Sequence, residues 1–156
     1  MTQRVALATV MDRLSIDAVI TDYAMAVGDG AWEDYGALFT PDGRADYRGA
    51  GGSEGPAAEA GGWLAEGLRR FPARQHLIVN RRLDLEDLGG YPGDRARLRA
   101  DYLSPAGPEA WDGESAPALV TGGRYVFELR RTEEGWRIRT ATAHRKWRYA
   151  PGADAG

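Results

Sequence analysis

A chain of 156 residues with 43% hydrophobic residues, 28% charged residues and a net charge of −3 is one globular domain, long enough to bury its apolar surface in a single core. The absence of cysteine excludes disulfides, thiolate metal sites and cysteine nucleophiles. The interspersed charge excludes a nucleic-acid footprint, and no apolar run reaches the ~20 residues of a membrane span.

Taken in chain order, the opening MTQRVALATVMDRLSID lacks the basic-then-apolar pattern of a signal peptide, which predicts a cytoplasmic protein. Leu14, Ile16, Val19, Ile20, Tyr23, Ala24 and Val27 recur at spacings of three and four and predict a helix over 11–29. Asp12 or Ser15 would cap its start, and Gly28 with Gly30 would end it. Trp32, Tyr35, Leu38 and Phe39 predict a second helix over 31–39, which the turn TPDG at 40–43 stops. A short strand follows at 44–48, then a glycine-rich loop at 49–55. Pro56 opens a third helix to about Phe71, burying Ala57, Ala60, Trp63, Leu64 and Leu68.

From Arg74 the period changes to two. Strands are predicted at 75–85 and 95–103 about the turn LGGYPGD, and at 118–130 and 136–147 about TEEG. Residues 104–117 read as a mobile loop or lid. Residues 1–150 form one domain, and the tail 151–156 is expected to be disordered. Helices followed by a meandering sheet give an α+β fold. A sheet that covers three helices has to curl, and the cavity so enclosed is a natural ligand site.

The segments IDAVITDYAMAVGDGAWEDYGALFTPDGRADY, RQHLIVNRRLDLE and GGRYVFELRRTEEGWRIRTATAHRKW resemble the SnoaL-like branch of the nuclear-transport-factor-2-like superfamily, across almost the whole chain. The resemblance implies a cone: three N-terminal helices packed on a strongly curved antiparallel sheet around a pocket. It implies a dimer or trimer, and acid/base chemistry without a cofactor. The nearest functional pattern is that of scytalone dehydratase-type dehydratases and polyketide cyclases. By this resemblance His76 stands at the catalytic histidine, Tyr47 at a tyrosine that helps hold a water and a substrate carbonyl, and Tyr125 at a pocket-facing position. Two positions depart from the pattern. The aspartate that orients the histidine from the end of the first helix is Gly28 here, and a second pocket histidine is missing near Ser104–Pro105.

The remaining candidates come from the residues themselves. His76 titrates near neutrality and can give or take a proton. Asp29, about 100° further round the helix than Gly28, is the carboxylate available to partner it. Tyr23 would line the pocket wall. Asn80, four residues after His76, shares its face on a strand and would hold a substrate oxygen. Asp101 alternates with Arg97 and Arg99 and needs a bulge to turn inward. His144 alternates with Trp136, Ile138, Thr140 and Thr142, which aims it inward as a second acid/base group. Lys146, the one lysine, sits in a basic run with no apolar setting to activate it. Two histidines without a carboxylate cluster predict no metal, and GAGGSEG is no dinucleotide motif.

The expected function is a cofactor-independent dehydratase, isomerase or cyclase acting on an apolar, ring-containing small molecule. The alternative is a non-catalytic ligand-binding or oligomerisation module, which Gly28 favours. Alternating Arg97, Arg99, Arg137 and Arg139 are expected on an outer sheet face, pairing with carboxylates across a homo-oligomer interface.

Overall fold

The computed structural model describes residues 3–86 and 90–152, with side chains from Leu7 onward. Helix α1 spans Gln3–Asp29 and α2 Trp32–Ala37, followed by strand β1 (Phe39–Gly49) and the short β2 (Glu54–Pro56). Helix α3 (Ala57–Leu68) precedes β3 (Ala73–Arg74), β4 (Leu77–Glu86), β5 (Arg95–Gly107), β6 (Leu119–Thr132) and β7 (Gly135–Tyr149). The strands form one curled sheet in the order β2-β1-β7-β6-β5-β3, with β4 also on β5. Pairing is antiparallel throughout this order except between β1 and β7, which run parallel. The sheet is therefore mixed, where an antiparallel one was expected. Residues 87–89 of the expected turn and 153–156 of the expected tail lie outside the described residues.

Helix α1 extends to Gln3, a full two turns ahead of the expected start, so Asp12 is no cap. Its carboxylate instead accepts from Arg131 Nη2 at 2.6 Å and Trp136 Nε1 at 3.2 Å. The Arg131 guanidinium, which also lies over the Trp136 ring, holds that carboxyl below its usual range. Asp94, 2% exposed, takes the Arg131 Nε at 3.1 Å. This clasp fixes α1 to the β6–β7 hairpin.

The core face of α1 carries Ile16, Val19, Ile20, Tyr23, Ala24 and Val27 as the periodicity predicts, but Leu14, expected with them, is exposed on the opposite face. Each large side chain buried there contributes roughly 1.5–3 kcal/mol. Opposite it, the inward set of β5 is Ala96, Leu98, Ala100 and Tyr102, and that of β6 is Tyr125, Phe127 and Leu129.

Three irregularities decide which side chains face the core. TPDG does not end α2 but forms a bulge inside β1, where pairing with β7 jumps between Phe39 and Arg44. In β4 the register slips between Val79 and Arg82, and Asn80 has φ 52°, a left-handed conformation that asparagine tolerates better than most residues. In β7, Ile138 faces Leu129 but Thr140 faces Glu128, so Arg139 is an extra residue. One inserted residue moves every later side chain to the opposite face. Trp136 and Ile138 are buried before the insertion, Ala141 and Ala143 after it.

The expected outer-face arginines are largely paired within the chain: Arg99 with Asp84, Arg137 with Glu134 and Arg139 with Asp42. No helix among the described residues is long and apolar enough to cross a membrane.

Candidate functional site

The site lies where the end of α1, the start of β4 and the inner faces of β5 and β6 converge. His76 precedes β4 directly, and its imidazole is held at both nitrogens. Nδ1 shares a short hydrogen bond with Ser104 Oγ on β5, and Nε2 meets Tyr125 Oη on β6 at 2.9 Å. Three phenol rings surround it, with centroids at 5.7 Å for Tyr102, 6.4 Å for Tyr23 and 5.6 Å for Tyr125.

A Cβ added at Gly28 would stand 3.9 Å from that of His76. The end of α1 thus faces the histidine at the position that lacks a carboxylate. Asp29 does not replace it. It is exposed, its charge bears on the Arg74 guanidinium, and the imidazole's partners are Ser104 and Tyr125 instead.

Burial alone pushes the His76 imidazole down to about 4, because a cation there would lose water and gain no countercharge. Burial likewise raises the hydroxyl of Tyr125, so it is a neutral donor at every ordinary pH. His76 is therefore neutral at pH 7. One of its nitrogens donates while the other accepts.

Tyr47 lies deeper, 2% exposed, with its hydroxyl 2.7 Å from those of both Tyr23 and Tyr35. Burial raises all three phenols, Tyr35 to about 12. Tyr47 is thus the hub of a buried three-phenol network, and Tyr23 links it by ring contact to Tyr125 and Phe127. These rings pack together at the centre of the cone. Clefts of about 300–410 Å³ open at its periphery, on the outer face of the sheet and between α1 and α2.

Three further candidates lie away from the imidazole. The β4 bulge turns Asn80 outward, where its amide donates to Asp101 Oδ2 at 3.0 Å. Asp101 keeps its outward alternation and pairs with Arg124 at 2.9 Å. The Arg139 insertion sends His144 to the outer, exposed face, against the inward placement that simple alternation gives.

Ser104 and Tyr102 are the site residues that sequence reasoning missed. Ser104 opens the turn-forming stretch 104–117, whose composition predicts a loop. Strand β5 in fact continues to Gly107, and the Pro105 carbonyl accepts from the Gln75 N–H. Extending the alternation Ala96, Leu98, Ala100, Tyr102 by two residues would have found Ser104. Among the described residues no cluster of three or more histidines and carboxylates could hold a metal.

The pH dependence of stability follows from His76. In the unfolded chain it binds a proton near ~6.5, in the fold only near 4. Its contribution is complete above pH 6.5 and is lost as pH falls toward 4, because the unfolded state then takes up the proton first. Between pH 7.5 and 5 wild type should lose about 1–2 kcal/mol more than His76→Gln, after discounting for the ring's partial exposure. Urea midpoints of both proteins at the two pH values measure it. Equal losses would show that the imidazole titrates normally.

A family model described as a SnoaL-like domain matches residues 8–142. An uncharacterized protein of Mycobacterium tuberculosis is 31% identical over 133 residues, covering 85% of this chain and 84% of its own. The dehydrochlorinase LinA-type3 of Novosphingobium barchaimii, which is named for hexachlorocyclohexane, superposes with a TM-score of 0.72 at 15% identity, over 95% of each chain. A scytalone dehydratase-like protein of Novosphingobium aromaticivorans gives 0.70 at 17% identity, over 91% of this chain and 89% of its own. At these identities the two structures share the fold.

Proposed function

The chain belongs to the SnoaL-like domain family, and from that premise we propose that it is a cofactor-independent acid/base enzyme, a lyase, isomerase or cyclase. Its substrate is an apolar ring compound carrying a carbonyl or hydroxyl. The observation that carries this reading is the neutral His76 imidazole bracketed by Ser104 and Tyr125. A substrate carbonyl that takes over the Tyr125 hydroxyl frees Nε2. The nitrogen then removes a proton from the adjacent carbon, and the electron pair of that C–H bond moves onto the carbonyl oxygen. Tyr125 stabilises this enolate as a hydrogen-bond donor. The proton on Nε2 returns to another carbon in an isomerisation, or to a departing hydroxyl in a dehydration.

Cyclic ketones and hydroxyketones are the panel on which to test turnover, with His76→Ala beside wild type. The second reading is a non-catalytic binding module, favoured by Gly28. There His76→Ala would keep ligand affinity, with no turnover to lose.

Assembly belongs to the same proposal: a cytoplasmic homo-oligomer, dimer or trimer. Leu7, Met11, Leu14 and Met25 lie along one face of α1 at 55–61% exposure, an apolar stripe that a second copy would cover. Light scattering at micromolar concentration should give a multiple of the 17.0 kDa chain mass. A monomer overturns this part.

A further inference from the structure

We propose that Ser104 is the positioning residue of His76: its hydroxyl holds Nδ1 and so sets both the orientation and the tautomer of the imidazole, in the absence of any carboxylate from α1.

The two side chains lie 28 residues apart in sequence and meet because Ser104 is the next inward position of β5 after Tyr102. With Tyr125 on the other nitrogen, the ring is pinned across its width between two adjacent strands. A histidine so held has one donor and one acceptor nitrogen, and each partner must take the complementary role. The two remaining flanks of the ring supply no charge. Tyr23 comes from α1 and Tyr102 from β5, both as neutral phenols, and Gly28 offers only backbone. Asp29 is exposed and makes no hydrogen bond to the imidazole. Among the described residues, Ser104 is therefore the one side chain that fixes Nδ1.

A hydroxyl differs from a carboxylate in one respect that bears on chemistry. It can accept from an Nδ1–H as a carboxylate does, but it does not neutralise an imidazolium. The histidine thus stays a weak base. For turnover, which rests on the acid/base reading above, this restricts substrates to those whose C–H proton is acidified by an adjacent carbonyl.

Imidazole ¹⁵N NMR tests the inference without any substrate, with exposed His144 as an internal reference. Wild type should show His76 as a single neutral tautomer at pH 7. Ser104→Ala should abolish that preference, and Ser104→Thr, which keeps the hydroxyl, should retain it. Ser104→Asp supplies a carboxylate and should raise the His76 titration midpoint by one unit or more. The inference is overturned if folded Ser104→Ala keeps the same single tautomer and midpoint. Should that variant fail to fold, a Ser104→Asp midpoint equal to that of wild type overturns it instead. In turnover, Ser104→Ala should lower kcat by about 10–100-fold at similar KM, with Ser104→Thr restoring it. Tautomer loss with unchanged kcat would leave the positioning role standing and refute the catalytic reading of His76.

Discussion

Replacing His76 by alanine is expected to lower turnover by about 10²–10⁴-fold, the usual worth of a positioned acid or base. The fold should survive, because the imidazole sits at the start of β4, and the ring contacts of Tyr23, Tyr125 and Phe127 persist without it. The loss should fall on kcat more than on KM, since the proton transfer exists only in the transition state. His144→Ala is the matched control: that side chain lies on the outer face, in register with Arg124, and its removal should leave kcat unchanged. The pH profile adds a check. A base whose conjugate acid lies near 4 keeps its activity well below neutrality and loses it only as pH falls through that value. An alanine variant with full turnover, or an activity lost already at pH 6.5, would remove His76 from the mechanism.

The largest effect on stability should come from Phe127→Ala. Phe127 is fully buried, its ring stacked on Tyr125 at 5.0 Å and edge-on to Tyr23 at 5.1 Å. Truncation there removes transfer free energy and leaves a cavity that the surrounding rings close only in part, at a cost of about 3–5 kcal/mol. Against a total stability of roughly 5–15 kcal/mol, that is a large fraction. The urea midpoint should drop while the slope stays constant. The space so opened adjoins Tyr125, so the variant should also bind small apolar rings such as benzene or indole, with a protective shift in melting temperature. A loss below 1 kcal/mol would mean that these rings do not form the structural centre of the cone.

Composition and periodicity carried the architecture. The spacing of Ile16, Val19, Ile20, Tyr23 and Val27 determines a core-facing helix whatever follows, because those side chains share one stripe only at 3.6 residues per turn. The alternation through 95–103 likewise selects the inward face of β5. The family resemblance, not the alternation, implied His76 and Tyr125 as site residues, and the tertiary structure brings their side chains into contact. What local pattern does not encode is where a strand stops or slips. Asn80 lies inside a bulge and His144 beyond an inserted residue, and one insertion reverses the face of all that follows. The insertion at Arg139 is defined by the pairing of the next residue, Thr140, with Arg44 of β1 and Glu128 of β6, which lie 96 and 12 residues away. Ser104 was hidden for a related reason: the turn-forming stretch it opens reads locally as a loop, yet β6 on one side and Gln75 on the other carry the strand past Pro105. The sequence by itself thus determined most of the elements and the core stripe of α1, and the family resemblance singled out His76. The partners of that histidine were decided only by tertiary structure, because hydrogen bonds across 28 and 49 residues depend on the register of strands that the local sequence does not record.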